Sequence, residues 1–210
     1  MTYVVKEIFY TLQGEGAQSG RPAVLCRFAG CNLWNGREDD RGDALCRFCD
    51  TDFLGTDGPG GGRFTSSADL GEAIAARWSG AAEERYVVFT GGEPALQLDE
   101  LVLRELHTRG FTAAIETNGT LPLPYGLDWI CVSPKAGAPL RQRTGDELKL
   151  VFPQDGLDPR ELEDLPFAHR FLQPCDGLDL LEHTRAAVEY CLAHPRWRLS
   201  LQTHKLLGIR

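Results

Sequence analysis

Seven short apolar runs, at residues 23–28, 86–89, 112–115, 129–132, 148–152, 171–172 and 199–201, alternate with amphipathic stretches along this chain. Five of them break straight into polar residues: Phe89 into Thr90-Gly91-Gly92-Glu93, Ile115 into Glu116-Thr117-Asn118, Val132 into Ser133-Pro134-Lys135, Leu172 into Gln173-Pro174, and Leu201 into Gln202-Thr203-His204. Helical periodicity fills the intervals at 68–78, where Ser66 or Ser67 can cap the first turn, at 98–108, closed by Gly110, and at 180–193, closed by Pro195. Asp158-Pro159 starts a further short helical turn. Strands that alternate with helices imply a mostly parallel sheet covered by helices. Such folds gather their chemistry at the carboxyl ends of the strands, where these polar groups fall. A closed eightfold barrel takes about 250 residues. The 210 residues here predict one α/β domain forming an incomplete, open parallel βα barrel.

Charge and composition narrow the partners. The formal charge is −8, from 30 acidic against 22 basic residues, and no basic block interrupts the chain, which argues against nucleic acid. No apolar run approaches the ~20 residues of a membrane span. The first residues lack a basic stretch followed by an apolar core, so no signal peptide is expected. Seven cysteines, an odd number, without an export signal point to a reducing compartment, and the cytoplasm is expected.

Cys31, Cys46 and Cys49 fall within nineteen residues, the last two as a Cys-x-x-Cys pair. A structural zinc site wants a fourth protein ligand, and the nearest histidine in sequence is His107. A redox pair leaves Cys31 unexplained. A four-iron cluster with one iron left for a ligand uses all three thiols. Cys26, Cys131, Cys175 and Cys191 sit in apolar or helical contexts and read as buried, inert thiols. Asp50-Thr51-Asp52 offers oxygen donors that suit Mg²⁺, or simply a turn closed by a side chain. The charged stretch 35–43 and the glycine-rich stretch 55–62 read as exposed loops. The latter lacks the lysine-containing end of a phosphate loop.

The cysteine triplet together with Thr90-Gly91-Gly92-Glu93-Pro94 resembles the radical S-adenosylmethionine superfamily, although fourteen residues separate Cys31 from Cys46 where three are usual. The string from Phe9 to Gly16, Arg27-Phe28-Ala29-Gly30-Cys31-Asn32-Leu33, Cys49-Asp50-Thr51, Glu116-Thr117-Asn118-Gly119, Ser133-Pro134-Lys135 and Glu147-Leu148-Lys149 are similar to the 7-carboxy-7-deazaguanine synthase family, from about residue 8 to the end. The resemblance implies a single radical S-adenosylmethionine domain over 1–210, with 1–22 as an N-terminal extension and 32–66 as cluster loop and insertion. It implies a carbon–nitrogen lyase of queuosine and deazapurine biosynthesis that turns 6-carboxy-5,6,7,8-tetrahydropterin into 7-carboxy-7-deazaguanine and ammonia. A 5′-deoxyadenosyl radical made from S-adenosylmethionine removes hydrogen from C6 and the ring contracts, so no side chain is itself the catalyst.

Carried over residue by residue, Cys31, Cys46 and Cys49 ligate the 4Fe-4S cluster and Thr51 takes Mg²⁺. Phe48, Cys49, Asp50, Gly92, Glu93, Ser133, Pro134, Lys135, Gln173, Pro174, Cys175 and Asp176 surround S-adenosylmethionine. Leu12, Gln13, Gly14, Arg27, Thr90, Glu116, His204 and Arg210 meet the pterin. Taken alone, Arg27 reads as an exposed salt-bridge partner and His204 as a structural hydrogen bonder. The resemblance also implies a flavodoxin or ferredoxin-type electron donor and a homodimer. Two alternatives share some of these features: an enzyme that installs a glycyl radical on a partner protein, and a non-catalytic zinc-binding interaction protein.

Overall fold

The computed structural model describes residues 2–210. Nine strands form one sheet: β1 (Tyr3–Leu12), β2 (Pro22–Phe28), β3 (Gly62–Phe64), β4 (Tyr86–Gly91), β5 (Thr112–Thr117), β6 (Trp129–Val132), β7 (Gly145–Phe152), β8 (Phe167–Pro174) and β9 (Arg198–Leu199). Their order is β3-β1-β2-β4-β5-β6-β7-β8-β9. β1 runs antiparallel to both β2 and β3, and from β2 to β9 every pairing is parallel. β3 and β9 do not pair with each other, so the barrel is open, as the chain length predicts.

Side chains alternate between the two faces of a strand. One face carries Val24, Cys26, Phe28, Val87, Phe89, Ala113 and Ile115, which pack with residues of α1 (Ser67–Ala75) and α2 (Glu100–Thr108). Val132, Leu148, Leu150 and Leu172 continue this face toward α3 (Leu180–Ala193). The Ser66 hydroxyl caps α1 by accepting from the Asp69 amide, and the Asp99 carboxylate caps α2 by accepting from Leu101 and Val102. α1 stops at Ala75, short of the expected 78, because Arg77 and Trp78 bond three residues back in a tightened turn. The turn expected after Asp158 is a 3₁₀ segment, Pro159–Leu162. No helix among the described residues is long and apolar enough to cross a membrane.

The expected N-terminal extension, 1–22, contains β1, a strand inside the sheet, and the expected insertion, 32–66, contains the edge strand β3. β1 escapes an alternation search because its register with β2 shifts between Val5 and Glu7, which puts Val5 and Lys6 both in buried positions. Likewise the expected strand 199–201 ends at Leu199, and the chain turns into α4 (Thr203–Leu207).

α4 closes the seam that the sheet leaves open. The Thr203 amide and hydroxyl donate to the Gly14 carbonyl at 2.9 and 2.8 Å, the Gly16 amide donates to Ser200 Oγ at 2.9 Å, and Thr11 Oγ1 donates to the Arg210 carbonyl at 2.6 Å. A side chain at Gly14 would meet His204 Nδ1 at 2.2 Å, so the approach requires glycine.

Candidate active site

The face of the sheet turned away from α1, α2 and α3 borders a cavity of about 350 Å³. Its lining brings together every site residue that the resemblance implies except Glu93, Pro134 and Cys175. Pro134 is buried, its carbonyl accepting from Gln154, and Cys175 is 8% exposed with its amide bonded to the Phe152 carbonyl. Both are brought near by their neighbours' positions in β–loop turns and do not reach the cavity themselves.

All three thiols line this cavity. Cys31 follows β2 directly, and the turn after β4 packs onto it: the Gly92 amide donates to the Phe28 carbonyl at 3.3 Å and the Glu93 amide to the Gly30 carbonyl at 2.9 Å. A Cβ at Gly92 would lie 2.1 Å from the Gly30 oxygen, a close approach open only to glycine. The fourteen-residue excursion folds back, because the Leu45 and Cys46 amides both donate to the Leu33 carbonyl at 3.2 and 3.4 Å. Arg41 pins it by donating to the Arg47 and Cys49 carbonyls at 2.8 and 3.0 Å, while its guanidinium lies 4.0 Å from the Trp34 ring centre. Closing a loop of this length costs little more than closing a short one.

Cys46 hydrogen-bonds to Cys49, which pulls the Cys49 thiol down to about 6 and pushes Cys46 up. Burial pushes Cys31 up. The Lys135 ammonium donates to Ser133 Oγ at 2.7 Å. Burial lowers its pKa, with Cys46 and Cys49 opposing. Among the described residues no three His, Cys, Asp or Glu side chains converge on a point fit for one metal ion. Of the remaining cysteines, Cys26, Cys131 and Cys175 are buried as expected and Cys191 is half-buried; all seven are free.

Glu93 sits behind the Gly-Gly turn. It is 0% exposed and absent from the cavity wall, and its carboxylate accepts three bonds: from the Ala95 amide at 2.9 Å, Thr117 Oγ1 at 2.7 Å and the Asn118 amide at 2.7 Å. It therefore braces the Gly-Gly turn from behind against the end of β5. Asn118 carries the brace onward, donating to Asn32 Oδ1 at 3.0 Å beside the first thiol. Burial still raises the Glu93 carboxyl against these three donors.

Further charged and polar groups line the same cavity. Arg27 donates through Nε to Glu7 at 2.9 Å, and Glu7 also holds the Arg210 guanidinium at 3.2 Å. Glu116 Oε1 accepts from Gln13 Nε2 at 3.0 Å and from Lys149 at 3.1 Å. Lys149 also donates to Glu15 at 2.5 Å. Burial alone would lower Lys149, but the Glu116 and Glu15 carboxylates outweigh it and hold the ammonium well above its ordinary value. Burial would likewise raise Glu15, yet Lys149 outweighs burial and holds it low. Glu147, 2% exposed, accepts from the Ala17 amide at 3.0 Å and is raised by burial.

Glu7, Glu15, Lys149, Gln202 and Lys205 also line the cavity and are not among the site residues of the sequence reading. Lys149 leaves one signal there, a charge inside an apolar run.

No protein-family model matches the chain. Among curated proteins it is 65% identical over 209 residues to the 7-carboxy-7-deazaguanine synthase of Bordetella pertussis, with 100% of each chain covered. It is 60% identical to the synthases of Caulobacter vibrioides and Bradyrhizobium diazoefficiens, again over 100% of each. Among solved structures, the crystal structure of QueE from Escherichia coli matches with a TM-score of 0.68 at 30% identity, covering 97% of this chain and 95% of that one. At this identity and coverage, the chain belongs to the 7-carboxy-7-deazaguanine synthase family.

Proposed function

We propose that this protein converts 6-carboxy-5,6,7,8-tetrahydropterin to 7-carboxy-7-deazaguanine with release of ammonia, in queuosine biosynthesis. The observation that carries the reading is one shared cavity, of a size that suits a small molecule, lined by three thiols and by Arg27, Gln13 and Glu116. The product is the substrate less one ammonia, so the overall conversion needs no net oxidant.

The residues fit the group that the family implies. Thiolates are soft donors for iron, and three of them leave one iron of a four-iron cluster for S-adenosylmethionine. Bound together, cluster and S-adenosylmethionine supply one-electron cleavage of a carbon–sulfur bond and a carbon radical able to remove hydrogen. The chain holds and orients. Cys31, Cys46 and Cys49 would hold the cluster. Phe48, Asp50, Gly92, Ser133, Lys135, Gln173, Pro174 and Asp176 would line S-adenosylmethionine, with Glu93 bracing the turn from behind. Arg27, its Nε engaged by Glu7, keeps its terminal nitrogens for the substrate carboxylate. Glu116 and Gln13 match the donors and acceptors of the aminopyrimidinone edge. Thr51 would give Mg²⁺ one ligand beside waters and substrate oxygens.

A flavodoxin or ferredoxin-type protein would deliver the electron. Exposed Leu178, Leu181, Val188 and Leu192, on or beside α3, favour pairing with a second copy. Seven free cysteines favour a reducing, cytoplasmic setting. Family membership displaces the activating-enzyme and zinc-protein readings.

The test is anaerobic reconstitution with iron and sulfide, then incubation with S-adenosylmethionine, dithionite, Mg²⁺ and the carboxytetrahydropterin. Mass spectrometry should find a product lighter than substrate by one ammonia. A fully loaded cluster that cleaves S-adenosylmethionine yet leaves the pterin unchanged would overturn the assignment.

A further inference from the structure

The segment from Ser200 to the end is attached in an unusual way. α4 has no buried residue, and Leu206 and Leu207 are 74% and 64% exposed. Its hold on the body is polar: bonds to Gly14 and Thr11, the Arg210–Glu7 pair, and two side chains that each bridge a pair of carboxylates. Gln202 Nε2 lies 2.9 Å from Glu15 Oε1 and 3.0 Å from Asp50 Oδ2. Lys205 Nζ lies 2.5 Å from Asp50 Oδ2 and 2.7 Å from Asp176 Oδ2. Glu15 belongs to the Lys149–Glu116 group, whereas Asp50 follows the third thiol and Asp176 follows β8. The strap thus joins the Glu15 group to Asp50 and Asp176, and it reaches those two carboxylates through side chains alone. An element with few buried apolar contacts opens at low cost.

We propose that Gln202 and Lys205 are positioning residues that make S-adenosylmethionine and the pterin bind cooperatively, an inference that rests on the functional reading above. A ligand seated beside Asp50 and Asp176 fixes those carboxylates, and through Lys205 and Gln202 it fixes the strap. The fixed strap holds Glu15, which holds Lys149 against Glu116, so the pterin meets an edge already ordered. Whichever ligand binds first meets part of the ordering cost of the second. The coupling is reciprocal by thermodynamic necessity. The strap, closed or released, is the two-state element that both sites bias.

The experiment uses reconstituted holoenzyme with Mg²⁺ and no reductant, so that no turnover intrudes. Equilibrium dialysis measures the dissociation constant of the carboxytetrahydropterin with and without saturating S-adenosylmethionine. The wild-type protein should bind the pterin roughly 5- to 100-fold tighter with S-adenosylmethionine present. In Gln202→Leu and in Lys205→Met that ratio should fall toward unity. Damage that merely loosened the fold would weaken pterin binding in both conditions and leave the ratio intact, which would overturn the proposal. A wild-type ratio of unity or below overturns it too, the latter meaning that the ligand competes with Lys205 for its carboxylates. If both compounds bind independently, only the coupling falls. If neither binds, the functional reading falls with it.

Discussion

Replacing Lys149 by methionine removes the one cation that Glu15 and Glu116 share inside the cavity wall. The Lys149 side chain is 6% exposed, and its two partners are 15% and 24% exposed. Breaking a buried ion pair by removing one member costs roughly 3–5 kcal/mol, because the other charge stays behind uncompensated. Water reaches both carboxylates in part, so the lower end, about 3 kcal/mol, applies here. For a chain of this size that is a fall in Tm of roughly 6–12 °C. The pH dependence carries a second signature. In the wild type Lys149 holds the Glu15 carboxyl below its ordinary 4.5, so its stabilising contribution is present above that value and is lost as pH falls through the depressed one. In the variant only the Gln202 hydrogen bond still opposes burial, and burial raises Glu15. Its contribution is then favourable only below the ordinary value and is lost as pH rises through the raised one. Lys149 itself, raised above 10.5, contributes a constant amount across this range. The gap in Tm between the two proteins should therefore be wider at about pH 8 than at about pH 5. Thermal unfolding of reconstituted protein under anaerobic conditions, followed by circular dichroism, reads both quantities. A fall of less than about 3 °C at the higher pH, or an equal fall at both, would refute the reasoning.

Gly92→Ala places a methyl 2.1 Å from the Gly30 carbonyl oxygen and 2.9 Å from Cys31 Cβ. We expect S-adenosylmethionine affinity to drop at least ~10-fold, about 1.4 kcal/mol, with iron content per chain unchanged; unaltered affinity would show that the turn has room to spare. Glu93→Ala leaves the Ala95 and Asn118 amides and the Thr117 hydroxyl without their acceptor. At about 1–3 kcal/mol for each unsatisfied buried group, denaturant titration should show a loss of at least about 3 kcal/mol; a near-neutral result would mean that the site rearranges. Thr51→Ala should blunt the stimulation of turnover by added Mg²⁺ while the visible absorbance of the cluster stays, and an unchanged Mg²⁺ response counts against Thr51 as a ligand.

The place of the candidate site was legible because the polar residues after β4, β5, β6 and β8 sit where a parallel sheet must present them. The residues that stayed hidden did so for local reasons. β1 carries a register shift at Val5–Glu7 that destroys simple alternation. Glu93 belongs to a recognisable motif, but a motif does not say which way a side chain turns, and here the amides at the end of β5 draw it inward. Lys149, Glu15 and Gln202 are separated by more than a hundred residues from at least one of their partners, so no window of sequence joins them. α4 is too short and too exposed for a helical period, and Leu206 and Leu207 would have been read as core by composition alone.

The two faces of the sheet answer to different demands. The apolar clusters under α1, α2 and α3 supply burial enough to hold the strands, so the opposite face is free to carry Glu116, Glu147 and Lys149, with Glu15 reaching Lys149 from the loop after β1. Buried charges of this kind are poor evidence for stability, since well-packed apolar replacements of similar volume are often neutral or stabilising. Their presence needs a reason other than folding. Replacing Lys149, Glu15 and Glu116 together by methionine, glutamine and glutamine removes the uncompensated charge as well as the pair. That triple variant should recover most of the Tm that Lys149→Met alone loses, yet fail to bind the pterin. A variant that regained stability and kept pterin affinity would show that these charges serve the fold and leave the recognition to other residues.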